Sequence, residues 1–146
     1  MLLSDTIKQT IAKRFKRKRR AVYFELGLNR KGQLRADVFV LAMNGHVVVV
    51  EVKSSVADFR ADKKMAGYME YCNQFYLALP SAVYAKIKDR FTLQGAGVFV
   101  LSDDGKSIVK VKAARNRDLD QDVVFNLAVR AAFRNSDTNN RKNVRA

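Results

Sequence analysis

Apolar residues recur every four positions at Ile7, Ile11 and Phe15, which predicts a first helix with one stripe against the core and Ser4 as its cap. The period then changes. AVYFELGL at 21–28 reads as a strand, and NRKG at 29–32 turns the chain. LRADVFVLA at 34–42 and HVVVVEVK at 46–53 flank the hairpin signal MNG at 43–45. Both runs are almost continuously apolar instead of alternating, so both faces of their sheet are expected to be covered by helices. Ser55 and Asp58 fit a capping box, and Ala61, Met65, Met69 and Cys72 continue it as a helix expected to run to about Tyr71. QFYLALP at 74–80 predicts a strand ended by Pro80, with a short helical turn around Val83 to Lys88. AGVFVLS and KSIVKVK, joined by DDG at 103–105, form a second hairpin, and a last helix opened by Asp120 buries Val123, Val124, Leu127, Ala128 and Ala131. The element order is α, β, β, β, α, β, a short helix, a hairpin and a helix, without an internal repeat.

A chain of 146 residues holds one core, so a single domain is expected over 1–134. The segment NSDTNNRKNVRA at 135–146 has no apolar period and reads as a polar, flexible C-terminal tail. Lysine and arginine number 28 against 14 aspartates and glutamates, a formal charge of +14, and the expected partner is a polyanion: DNA first, RNA below it, an anionic membrane last. The apolar runs are too short for a bilayer span and the basic N-terminus lacks a signal-peptide hydrophobic region, so a soluble, cytoplasmic protein is expected. Cys72 and His46 are the only cysteine and histidine. A metal site would therefore use carboxylates, which suit magnesium or manganese.

The charged residues inside the apolar strands are costly there unless they have partners. Asp37 precedes Glu51 by 14 residues, and Glu51 and Lys53 are two apart on one strand, which sends both side chains to one face. Two carboxylates and a lysine are what phosphodiester hydrolysis uses: the acids hold Mg²⁺ against the phosphate, the lysine stabilises developing charge, and the Val52 carbonyl is a further ligand. The hairpin register decides whether they meet. A two-residue Asn44-Gly45 loop puts the acids on opposite faces. A three-residue loop, Met43 to Gly45 with Gly45 left-handed in a G1 bulge, pairs residue 42 with 46, Asp37 with Glu51 and Arg35 with Lys53. The three-residue register is the expected one. A structural ion-pair network is the plain alternative for all three charges.

With RAD at 35–37 and EVK at 51–53 in an αβββαβ order, the chain resembles the PD-(D/E)XK nuclease superfamily. The string from RADVFVLAMNG through EVKSSVADFRADKK and Tyr68 to YCNQFYLALP is similar to the MmcB-like DNA-repair family within it, and the similarity extends to the last helix. The resemblance implies an α/β, restriction-endonuclease-like αβββαβ core, with a mixed central sheet flanked by helices and followed by a C-terminal hairpin and helix. It also implies a magnesium-dependent DNA endonuclease of repair or recombination, with a homodimer open within the superfamily. Ala36 stands where the superfamily's name has proline, a departure common among its members. Many relatives add an upstream acid. Asp5 and Glu25 are the candidates, and Glu25 is favoured as a catalytic residue because a helix start explains Asp5; an ordinary ion pair is its alternative.

Asp58 is better explained as a helix cap than as a catalytic acid. Arg35, Arg60, Lys63 and Lys64 are candidates for phosphate contact, as is the basic run Lys13, Arg14, Lys16, Arg17, Lys18, Arg19 and Arg20. If about six charges of that run contact duplex phosphates, log K should fall with log salt at a slope near about −5. Tyr68 and Gln74 are more simply core or structural than substrate contacts, and His46, beside the turn, is a surface residue. Two rivals to a nuclease are a nucleic-acid-binding protein that keeps the fold without turnover, and an RNA-binding accessory protein.

Overall fold

The computed structural model describes residues 2–90 and 94–145, with side chains up to Asp137. Its centre is a mixed sheet of six strands in the order β1-β2-β3-β4-β5-β6: β1 (Ala21–Gly27), β2 (Arg35–Leu41), β3 (Val47–Val52), β4 (Gln74–Pro80), β5 (Gly97–Leu101) and β6 (Ile108–Lys112). The first three strands and the last pair are antiparallel, while β3, β4 and β5 run parallel. The parallel pairs need crossovers. These are α2 (Val56–Ala61) with α3 (Met65–Tyr68) and a 3-10 turn (Met69–Tyr71), then α4 (Ser81–Ile87). Right-handed crossovers advancing in one direction place their helices on one face. Accordingly Tyr68, Met69, Val83 and Ile87 pack with Phe39, Val49, Phe75 and Leu77 in one apolar layer, joined by Leu127 and Ala131 of α5 (Gln121–Arg145). The other face is covered by α1 (Leu3–Lys16), whose Ile7, Ile11 and Phe15 meet Val38, Val40, Val48, Val50, Tyr76 and Phe99. Both faces of β2 and β3 are thus buried, as their continuous apolar runs require, and the α/β architecture matches the expected order.

Several local expectations are corrected. The first helix begins one residue before Ser4, with Leu2 at the cap position and no side-chain cap. The helix expected from Ser55 to Tyr71 breaks at Asp62, whose extended backbone (φ −79°, ψ 116°) ends α2; Ala61 is exposed and not part of a core stripe. Ser55 does cap α2, its Oγ accepting from the Asp58 N–H (3.0 Å), but Asp58 returns nothing to Ser55 and accepts instead from Ser54 Oγ. Val123, Val124 and Ala128 are half-buried, leaving Leu127 and Ala131 as the fully buried residues of the last helix among the described side chains. The polar segment from Asn135, expected as a tail, continues α5 in helical backbone to Arg145; Ala146 lies outside the described residues.

The hairpin that positions the acids has the three-residue form. Val38 pairs with Val50, Phe39 with Val49, Val40 with Val48 and Leu41 with Val47. The Ala42 N–H donates to the His46 carbonyl (2.9 Å), the Gly45 N–H to the Ala42 carbonyl (2.9 Å), and Gly45 has φ +88°. In that register Asp37 falls opposite Glu51.

Candidate functional site

Past the Val38–Val50 pair, β2 and β3 stop exchanging backbone hydrogen bonds and exchange carboxylates instead. The Asp37 N–H donates to Glu51 Oε1 (2.9 Å), and the Val52 N–H donates to Asp37 Oδ2 (2.8 Å). The Lys53 N–H turns to the Ala78 carbonyl of β4 (3.1 Å). Asp37 and Glu51 therefore sit side by side at one end of the sheet. They line a cleft of about 660 Å³ with Lys53, Lys63, Lys64 and Tyr68. The cleft opens because the ladder ends there.

Glu51 is only 3% exposed, the one buried charged residue of the described chain. Burial, then the neighbouring Asp37 charge, push its carboxyl well above the usual carboxylate range. Asp37 is also raised, chiefly by burial, against the opposing effect of the Val52 N–H. Two adjacent carboxyls in a poorly solvated place share a proton or take a cation between them. With the Val52 carbonyl, the donors are all oxygen, the chemistry of a hard divalent cation. No third His, Cys, Asp or Glu completes a cluster among the described residues.

Lys53 has a partner that the sequence reading missed. Its Nζ lies 2.5 Å from Asp62 Oδ2, and the two side chains are 13% and 10% exposed. Asp62 Oδ1 also accepts from the Lys64 N–H (2.7 Å), so one carboxylate anchors the lysine and shapes the break between α2 and α3. DFRADKK contained the signal, an acid within reach of the lysine on β3, but a helix-compatible run hid it.

Tyr68 is both core and cleft. Its ring stacks on Phe75 at 5.9 Å, while its hydroxyl, kept protonated by burial and by the nearby carboxylates, donates to the Arg35 carbonyl. Gln74 donates to the Ala114 carbonyl far from the acids, and His46 hydrogen-bonds Asn116 beside the turn. Cys72 is buried, its thiol pushed up to about 12 by desolvation, which makes it a packing residue.

Glu25 stands opposite Asp37 in the β1–β2 register, yet its carboxylate is held by Lys8 of α1 (2.5 Å) and Arg35 (3.2 Å). The reason is its backbone, with φ +53°. Tyr23 packs in the layer under α5 and Phe24 in the layer under α1, but Leu26 returns to the first, so alternation fails at Glu25. Arg134 fixes the kink by donating to the Phe24 (2.8 Å) and Glu25 (2.6 Å) carbonyls. The structure brings Asp37, Glu51 and Lys53 together and places Glu25 in the ion-pair arrangement. Arg35 pairs with Glu25, and the β2–β3 ladder ends at Val38–Val50, short of Arg35 and Lys53.

The basic residues divide. Lys63 and Lys64 line the acid cleft, with exposed Arg60 on α2 beside it. The run Lys13 to Arg20 closes α1 on the other face of the sheet, beside His46 and Gln74 at the opposite ends of the strands.

The fold and site define an α/β protein whose mixed sheet opens at one end onto a carboxylate pair, Glu51 buried and Asp37 half-buried, beside a lysine. The model of the DNA repair protein MmcB-like family matches residues 4–137, and the chain belongs to that family. Its fold is also that of a protein of unknown function from Silicibacter pomeroyi, similar at TM-score 0.81 and 24% identity over 94% of this chain and 89% of that one. No protein with a curated description matches it. Among the described residues no helix is long and apolar enough to cross a membrane.

Proposed function

We propose that the protein is a metal-dependent DNA endonuclease of the PD-(D/E)XK type, hydrolysing phosphodiester bonds in repair or recombination. The observation that carries the reading is the Asp37–Glu51 pair, set side by side at an open cleft that Lys53, Lys63 and Lys64 also line, together with Asp58 and Asp62. Asp37, Glu51 and the Val52 carbonyl would hold Mg²⁺ or Mn²⁺, leaving other positions to water and the substrate phosphate. When bound, such an ion would polarise the phosphate and lower the pKa of a bound water. Lys53 stabilises charge developing on the phosphate, and Asp62 is the positioning residue that holds its ammonium at the cleft. Arg60, Lys63 and Lys64 engage the backbone of the DNA being cut.

A second reading, a nucleic-acid-binding protein without turnover, draws on the Lys53–Asp62 pair, which neutralises the lysine. Incubation of wild type, Asp37→Ala and Lys53→Ala with single-stranded, duplex and branched DNA and with RNA, in Mg²⁺, Mn²⁺ or EDTA, separates the two. The nuclease reading expects DNA cleavage by wild type with either metal, none in EDTA, and binding without cleavage by the variants. Wild type that binds and never cuts refutes it, and cleavage confined to RNA refutes the choice of substrate.

A further inference from the structure

On the side of the sheet away from the carboxylates, the end of α1, the turn before β3 and the starts of β3 and β4 enclose a cleft of about 150 Å³. Arg14, Lys18, Arg20 and Lys110 line it, and none of its lining residues is acidic. None of these four cations forms an ion pair among the described residues. The volume suits a phosphate group and is well below that of a site for a larger organic ligand.

The cleft is built, not merely charged. The Arg14 guanidinium lies over the Phe99 ring at 5.0 Å, which fixes the cation while sparing its N–H donors. Phe99 is itself braced by Tyr76, centroids 4.5 Å apart, and by Phe15 at 6.1 Å. The helix closes on its own carbonyls: the Arg20 N–H donates to the Phe15 carbonyl (3.2 Å) and the Arg19 N–H to that of Lys16 (3.0 Å), the paired bonds of a Schellman closure. Its left-handed position, φ +60°, holds Arg19 where glycine or asparagine is usual. Arg20 Nη1 donates to the Lys18 carbonyl (2.7 Å), which ties two of the cleft's cations together.

This cleft cannot serve the DNA held at the carboxylates. Val48 and Tyr76, which line it, belong to the layer under α1, whereas Asp37 and Glu51 alternate with the layer under α5, beside Phe39 and Val49. The two clefts open on opposite faces and at opposite ends of the strands. A short duplex is stiff, with a persistence length of about 150 bp, and does not fold around a sheet edge to reach both. We infer that Arg14, Lys18, Arg20 and Lys110 form a second phosphodiester-binding site, which holds a DNA segment separate from the one at the carboxylate cleft. DNA is favoured over an anionic membrane because the chain belongs to a DNA repair family. From the proposed function the inference takes only that DNA also binds on the Lys63–Lys64 side.

The test is bridging, measured in EDTA so that cleavage plays no part. Full-length protein is mixed with donor-labelled and acceptor-labelled duplexes of about 15 bp, far below the persistence length, and energy transfer between them is recorded. Wild type is expected to bridge. The variant Arg14→Gln/Lys18→Gln/Arg20→Gln/Lys110→Gln should lose the transfer while still binding one duplex, and the second binding event of wild type, absent from this variant, should have a slope of log K against log salt of about −3 to −4. Arg60→Gln/Lys63→Gln/Lys64→Gln should also lose bridging yet bind one duplex at the α1 cleft. Circular dichroism and thermal melting identify any variant that fails to fold, and single substitutions at Lys18 and Lys110, both surface lysines of the cleft, then carry the comparison. Absence of bridging by wild type, or its persistence in the quadruple variant, overturns the inference. So does a wild type that binds phosphatidylserine vesicles through these four residues but no second duplex. Bridging without Mg²⁺-dependent cutting would sink the nuclease reading and leave this one standing.

Discussion

Replacing Glu51 by glutamine should change how stability depends on pH. Glu51 is 3% exposed and its folded-state pKa is raised above the ordinary 4.5, by burial first and by Asp37 second. Above 4.5 the unfolded chain releases the proton while the folded chain keeps it, so the folded state binds more protons and stability falls as pH rises. Each pH unit in that window costs about 1.4 kcal/mol per proton retained. Asp37 is raised as well, so the proton belongs to the pair. Between pH 5 and 7 without metal, wild type should lose on the order of 2 kcal/mol more than Glu51→Gln. Urea denaturation in EDTA at a series of pH values measures the difference, and comparison with the variant cancels groups that titrate alike in both. Mg²⁺ should then restore wild type by displacing the proton, worth about 2.7 kcal/mol at a hundredfold excess over Kd, and should do much less for the glutamine variant. Parallel pH curves for the two proteins would show that Glu51 is not a carboxyl held neutral by burial, and the basis for a cation between the acids would go with it.

Asp62→Ala leaves Lys53 mostly buried without its anion, and should cost about 2 to 3 kcal/mol by urea denaturation; adding Lys53→Met should recover part of that loss. Deleting Met43 forces a two-residue turn and turns Glu51 away from Asp37, so Mg²⁺-dependent stabilisation should vanish. Gly45→Ala keeps the register but places a Cβ at φ +88° and 3.2 Å from Val124 Cγ1, for an expected loss of about 1 to 2 kcal/mol. Asp37→Ala removes the acceptor of the Val52 N–H and should cost about 1 to 3 kcal/mol, whereas Asp37→Asn retains an oxygen there and should cost less while still weakening Mg²⁺ binding; equal melting temperatures for the two would contradict this.

The strand register could be read from local chemistry, because a glycine that can take positive φ selects the loop and the loop sets which side chains share a face. Asp37 and Glu51 were legible for the same reason: charges in otherwise apolar strands have few places to go. What could not be read were features decided by tertiary partners. Asp62 sits among residues that tolerate a helix, and only Lys53 on the neighbouring strand draws its carboxylate into the break. Glu25 has an ordinary strand sequence around it, but Lys8, Arg35 and Arg134 together hold a left-handed backbone there. The charge of the run from Lys13 to Arg20 was plain, whereas its face of the sheet was not, since composition carries no information about which side a helix covers. The polar stretch after Asn135 lacks an apolar period, yet once α5 is nucleated by its packed half, each added residue needs only its own backbone fixed.

The carboxylate pair survives in an apolar sheet because of where β3 stands. Its two neighbours run in different directions, antiparallel β2 and parallel β4, and at Val52 the strand remains paired with β4 after its pairing with β2 has ended. The backbone N–H groups of Asp37 and Val52 would otherwise be left beside apolar layers, where an unmade hydrogen bond is expensive. Each carboxylate accepts from the opposite strand, so the acids complete the ladder that they terminate. The same groups finish the sheet and, on the reading proposed above, would offer their oxygens to a cation at its open end. A residue that only finished the sheet could be a neutral acceptor. Two acids here, one of them buried, are more than finishing the sheet requires, and the proposed cation site rests on that surplus.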